Sequence, residues 1–140
     1  MKNICYAFFV FLVTSTPFAQ SEKLSGKFRI MNMSIYEDGN KTMDIAIEKS
    51  GECPYSYSFF ETGKMILSAY NDDNCTDEIS SEGSYTILNK VLTIQIDGEM
   101  ESFSIESNSE AYLVLSFTEE ESRGFAGLVI VKYEFTFKRV

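Results

Sequence analysis

The chain has 140 residues, with 12 basic and 21 acidic side chains, no histidine and a formal charge of −9. That length suits one domain around one sizeable core. The lack of histidine excludes Ser-His and Cys-His catalysis and removes the commonest zinc ligand, while the acidic excess opposes nucleic acid and anionic lipid.

At the N-terminus, Met1-Lys2-Asn3 supplies a positive charge, and residues 4–13 form an apolar run of secretory length, well short of a membrane span. Thr14-Ser15-Thr16-Pro17-Phe18-Ala19 interrupts that run and puts a small residue before Gln20. The expectation is a signal peptide over residues 1–19, cleaved after Ala19. The mature domain, residues 20–140, is then secreted or periplasmic and has no membrane span. Cys5 leaves with the leader. Losing Lys2 from the 12 bases leaves 11 against 21 acids, a mature charge of −10. Cys53 and Cys75 remain, and an oxidising compartment predicts that they are bridged.

Beyond the leader, strand signals recur at short spacing and no stretch sustains a 3.6-residue apolar period. The strands are expected at 27–36, 55–61, 64–70, 82–88, 90–97, 99–106, 111–119 and 128–139. Thr62-Gly63, Asn89-Lys90, Asp97-Gly98 and Ser107-Asn108-Ser109-Glu110 carry the residue types of tight turns, Asp97-Gly98 most strongly. Hairpins in succession, without long crossovers, predict an all-β fold: an antiparallel up-and-down β-barrel of about eight strands, closed to leave no exposed edge. Residues 38–53, with Met43, Ile45 and Ile47 at alternate positions, are either an extra short strand or a lid.

Parity separates inner from outer rows. Leu92, Ile94 and Ile96 alternate with Thr93, Gln95 and Asp97, and Phe103 and Ile105 with Ser102, Ser104 and Glu106. Leu113, Leu115 and Phe117 form a third inner row. The last strand is the clearest, with Val131, Tyr133, Phe135 and Phe137 opposed to Lys132, Glu134, Thr136 and Lys138.

Leu24-Ser25-Gly26-Lys27-Phe28 resembles the Gly-x-Trp start of the lipocalin-like domains of secreted bacterial proteins, a branch of the calycin group, with Phe28 in place of Trp. Phe135-Thr136-Phe137-Lys138-Arg139-Val140 resembles that group's final strand, whose arginine covers the first-strand aromatic. The resemblance therefore implies that Arg139 packs on Phe28 at one barrel end, and parity also aims Arg139 inward, where an aromatic face suits a cation. Cys53 and Cys75, on either side of a hairpin tip at Phe59 to Gly63, resemble the group's cysteine pair. The Thr-Asp-Tyr motif of true lipocalins is missing and no C-terminal helix follows the last strand, so their ligand habits transfer poorly.

The disulfide carries a geometric condition. If Thr62-Gly63 is a two-residue turn, paired positions sum to 125 and Cys53 faces Asp72, three residues from Cys75 and about 10 Å along a strand. Asn71-Asp72-Asp73-Asn74 must then fold back to bring the two Cα atoms within bridging distance.

Nothing in the sequence points to catalysis, a metal or a cofactor, and the expectation is a protein that is not an enzyme. The acids near Asp72, Asp73, Asn74, Asp77 and Glu78 lack the spacing and glycine of a calcium loop, and Glu119-Glu120-Glu121 suits a solvated turn. Asn32-Met33-Ser34 and Asn74-Cys75-Thr76 match the glycosylation pattern by chance in a bacterial context.

The expected function is binding of a small apolar or amphipathic ligand in the barrel, with Tyr57, Phe59, Phe103, Ile105, Leu115, Phe117, Tyr133 and Phe135 as candidate walls. An eight-stranded barrel is only just wide enough to be packed shut, so the same residues equally suit a filled core. The alternative is a protein-binding or protease-inhibitor-like barrel that works through its loops and whose acidic surface suits basic partners.

Overall fold

The computed structural model describes residues 22–140, and the expected leader, residues 1–19, lies outside the described residues. Nine strands run β1 (Gly26–Glu37), β2 (Asn40–Ala46), β3 (Ser56–Phe59), β4 (Lys64–Tyr70), β5 (Glu78–Leu88), β6 (Val91–Ile96), β7 (Glu99–Asn108), β8 (Tyr112–Ser122) and β9 (Leu128–Arg139). A single helical turn, α1 (Ile47–Ser50), joins β2 to β3. All pairings are antiparallel, and β9 returns to β1, so β1 and β3–β9 close an eight-stranded barrel.

The segment left open between strand and lid is resolved in favour of a strand. Asp38 and Gly39 turn the chain with positive φ at both positions, and β2 then pairs with Asn32–Glu37 of β1. The same edge of β1 pairs with β3 over Gly26–Arg29, so β2 and β3 occupy successive lengths of one strand edge.

Asn89-Lys90 and Asp97-Gly98 are two-residue turns with positive φ throughout, the twist that matches right-handed strands. Thr62-Gly63 is not. Phe60 N–H donates to Lys64 O and Gly63 N–H to Phe60 O, each at 2.9 Å, which makes a three-residue loop with Gly63 in the left-handed region. The register therefore differs by one from that expected: Phe59 pairs with Met65 and Tyr57 with Leu67. The strand expected over 55–61 stops at Phe59, and the one expected from 82 starts at Glu78.

The chain folds back between β4 and β5 as the disulfide requires. The Asp72 carboxylate accepts from the N–H groups of Thr76 (3.0 Å) and Asp77 (2.7 Å) and from the Thr76 hydroxyl (2.7 Å), and Asn71 N–H donates to Asp77 O. Cys75 takes a positive φ, and Cys53 and Cys75 are bridged with Cα atoms 5.4 Å apart. Asp72 thus serves the turn, and its hydrogen bonds to Thr76 and to the Asp77 backbone hold its carboxyl below the usual range.

Inward rows from seven of the eight barrel strands meet in one core that includes Phe28, Ile30, Phe59, Met65, Tyr85, Ile87, Leu92, Ile94, Leu113, Leu115 and Phe137, and Phe103 and Ile105 of β7 pack against it half-buried. On the outer surface, the Asp44 carboxylate accepts from Ser34 Oγ and Asn32 Nδ2, both at 2.6 Å, and lies 3.4 Å from Lys41 Nζ. The hydroxyl and amide donors, with the lysine, hold Asp44 down at about 2. A carboxyl depressed on folding stabilises the fold above its ordinary value near 3.8 and loses that contribution as the pH falls through about 2. Urea midpoints of Asp44→Asn should therefore lie below wild type at pH 5 and converge with it near pH 2. A constant gap would contradict this role.

Candidate functional site: an aromatic cavity above a sealed barrel end

One end of the barrel is sealed. Phe28 is fully buried, and the Arg139 guanidinium lies 4.6 Å from its ring centroid, with Phe28 and Arg139 as cross-strand partners. Arg139 donates from Nε to Glu110 O (2.7 Å) and from Nη1 to Ser25 O (2.6 Å), tying the last strand to two other segments. Gly26 carries a positive φ, and a Cβ there would collide with Arg139 Nη1, so glycine is required beside the arginine. Leu24 completes the seal: it is buried, and the Tyr85 hydroxyl accepts from its N–H and lies within donating distance of its carbonyl and that of Phe60. An exposed cation–π contact with two charge-assisted hydrogen bonds predicts a loss of about 1–2 kcal/mol for Arg139→Ala, read from the urea midpoint. An unchanged midpoint would show that Arg139 is not part of the seal.

Farther along the barrel axis the interior opens into a cavity of about 210 Å³. This equals the liquid volume of about seven waters, below the roughly 300 Å³ of a drug-sized pocket. Two aromatic groups face each other across it. On β7–β9, Phe117 stacks on Phe135 and meets Phe103 edge-on, with centroids at 5.8 and 6.1 Å. On the other side, Tyr55, Tyr57 and Phe137 form a triangle of rings with centroids 5.5–5.8 Å apart. Leu115 lies between the groups, and Glu101 stands at the lip.

Glu101 also borders two further clefts. One, of about 190 Å³, runs past Leu67, Ile94 and Ile96 to Asp97 and Glu99; the other, of about 320 Å³, follows Phe103 and Phe117 to Glu119. The lip is thus acidic. Burial, reinforced by the negative charge of Glu101, pushes the Tyr57 hydroxyl up to about 12 and Tyr55 upward in the same direction, so both remain protonated donors at neutral pH.

Five of the eight residues expected to line a cavity do so: Tyr57, Phe103, Leu115, Phe117 and Phe135. Phe59 lies instead at the sealed end, where it meets Phe28 and Tyr85 edge-on. Ile105 packs at the margin of the core. Tyr133 stacks on Phe117 at 4.9 Å but turns its hydroxyl to Glu121, away from the cavity lining. Tyr55, Glu101 and Phe137 were not expected as walls, although each shares the parity of a neighbour that was.

No protein-family model and no curated protein sequence matches this chain. Among solved structures, the barrel is similar to that of an uncharacterized protein from Bacteroides eggerthii DSM 20697, with a TM-score of 0.51 and 12% identity. The match covers 83% of this chain and 98% of that one. The likeness is one of fold. It places the β-barrel beside another solved example of the architecture and carries no site residues with it.

Proposed function

We propose that this chain is an exported, lipocalin-like binding domain that holds a small apolar or amphipathic molecule in the aromatic cavity. The single observation behind this reading is the asymmetry of the barrel: one end is sealed by Leu24, Phe28 and Arg139, while space remains between the facing aromatic groups at the other. Concave, largely apolar surface with a few polar groups is what small-molecule recognition requires. The Cys53–Cys75 bridge supports export to an oxidising compartment, and no helix among the described residues is long and apolar enough to cross a membrane. The reading is non-catalytic, in keeping with a chain that has no histidine.

Titration of 2-phenylethanol into protein carrying 13C-labelled leucine and phenylalanine tests it. Saturable shifts at Leu115, Phe103 and Phe117, with Leu92 and Phe28 unmoved, are expected. Shifts spread evenly over the surface, or none, would overturn the reading.

One observation favours a second reading, a protein-binding or protease-inhibitor-like barrel. Phe125, on the 3-10 turn between β8 and β9, is wholly exposed, and Leu128 and Ile130 nearby are also exposed. That reading predicts inhibition of a secreted protease that Phe125→Ser removes without changing uptake of 2-phenylethanol.

A further inference from the structure

The chemistry of the cavity narrows the ligand class. Its walls are mainly aromatic rings, Glu101 stands among them at the lip, and Tyr57 adds a phenol to the lining. Tyr57 is only 8% exposed, and its hydroxyl makes no hydrogen bond to another described residue; since no buried side-chain polar atom among the described residues lacks a partner, this hydroxyl is reached by solvent and is available to an occupant. Glu101 forms no ion pair among the described residues, and neither do Asp97, Glu99 and Glu119 along the adjoining clefts; Arg123, by contrast, is already held by Glu37 (2.7 Å) and Glu121 (3.4 Å). No cation of the barrel therefore neutralises this lip.

From this juxtaposition we infer that the cavity takes a small organic cation: an ammonium group at Glu101 and Tyr57, with an apolar body between Phe117 and the Tyr57–Phe137 side. The inference deepens the binding reading above and rests on it. Aromatic rings attract cations through their quadrupoles, and the exposed, unpaired Glu101 carboxylate at the lip adds direct charge attraction that salt screens. An anion of the same shape meets the same carboxylates as repulsion, so the site selects by charge sign as well as by shape.

Three near-isosteric compounds test it: 2-phenylethylamine as the cation, 2-phenylethanol as the neutral form and phenylacetate as the anion, each titrated by NMR into wild type and Glu101→Gln. The amine should bind about tenfold tighter than the alcohol and phenylacetate more weakly than either. Glu101→Gln should remove the amine's advantage, so that amine and alcohol bind that variant alike. If amine and alcohol bind equally, or if the advantage survives in Glu101→Gln, the charge inference fails and the binding reading stands. If none of the three binds in the cavity, both fail. A free amine and a lysine side chain share this chemistry. Acetyl-lysinamide as a fourth ligand separates them: affinity matching the phenyl amine points to a protein lysine, whereas markedly weaker binding supports a free aromatic amine.

Discussion

Replacing Phe28 with alanine is expected to lower unfolding free energy by about 4 kcal/mol, the range for truncating a fully buried aromatic whose surroundings relax only in part. The ring has no exposed surface, meets Phe59 edge-on with centroids 6.2 Å apart and lies beneath the Arg139 guanidinium. Since a domain of this size is stable by about 5–15 kcal/mol in total, the loss is a large fraction of the whole. Urea unfolding followed by far-UV circular dichroism reads it, because the chain has no tryptophan. Combining Phe28→Ala with Arg139→Ala closes a double-mutant cycle, and a coupling of about 0.5–1 kcal/mol is expected from the cation–π contact. A Phe28→Ala loss below about 1 kcal/mol, outside the usual range for a buried aromatic, would show that the sealed end does not anchor the barrel.

The second large effect is expected at the disulfide. Cys53 and Cys75 are 22 residues apart in sequence, and closing a loop of that length stabilises a fold by about 3 kcal/mol, chiefly by restricting the unfolded chain. The oxidised wild type should exceed Cys53→Ser/Cys75→Ser by that amount in urea. The consequence for the site is local. Tyr55 lies two residues after Cys53, and its carbonyl accepts from Ile30 N–H at 3.0 Å, so the bridge braces one wall of the cavity. Hydrogen exchange at the Ile30 amide should accelerate in the double variant beyond the global change. Equal exchange and equal stability would mean that strand pairing alone holds this wall.

Strands with clean alternation were legible in the sequence. In β9, apolar residues at every second position face the core while lysine, glutamate and threonine face outward, so parity alone oriented the strand. The Phe28–Arg139 contact was expected from the resemblance and from parity, and the cross-strand register of β1 and β9 places the two side by side. β2 was harder because it mixes signals: Met43 is half exposed and Lys41, Thr42 and Asp44 are polar, so burial gives little alternation to read. The turn at Glu61–Gly63 was misjudged by one residue because Thr-Gly suits either a two-residue loop or the end of a type I turn closed by a left-handed glycine.

The cavity was legible as a set of inward aromatic residues but not as a location along the barrel axis. Periodicity says which face a side chain occupies, not how far neighbouring strands are staggered, and closing a barrel imposes a stagger. That is why Phe59, on the same row as Tyr57, pairs across from Gly26 and belongs to the sealed end. Glu101 was passed over because a carboxylate near a strand start suggests solvent, yet it shares the row of Phe103 and Ile105 and stands at the lip of the cavity.

The claim on which the rest depends is that space remains between the two aromatic groups. A crystal structure of the oxidised protein under xenon pressure measures this directly, since apolar cavities take up the gas. A xenon site is predicted above Leu115, between Phe117 and Tyr57. Rings of Phe103, Phe117 and Tyr57 closed into mutual contact, with no xenon between them, would show a filled core and contradict the account.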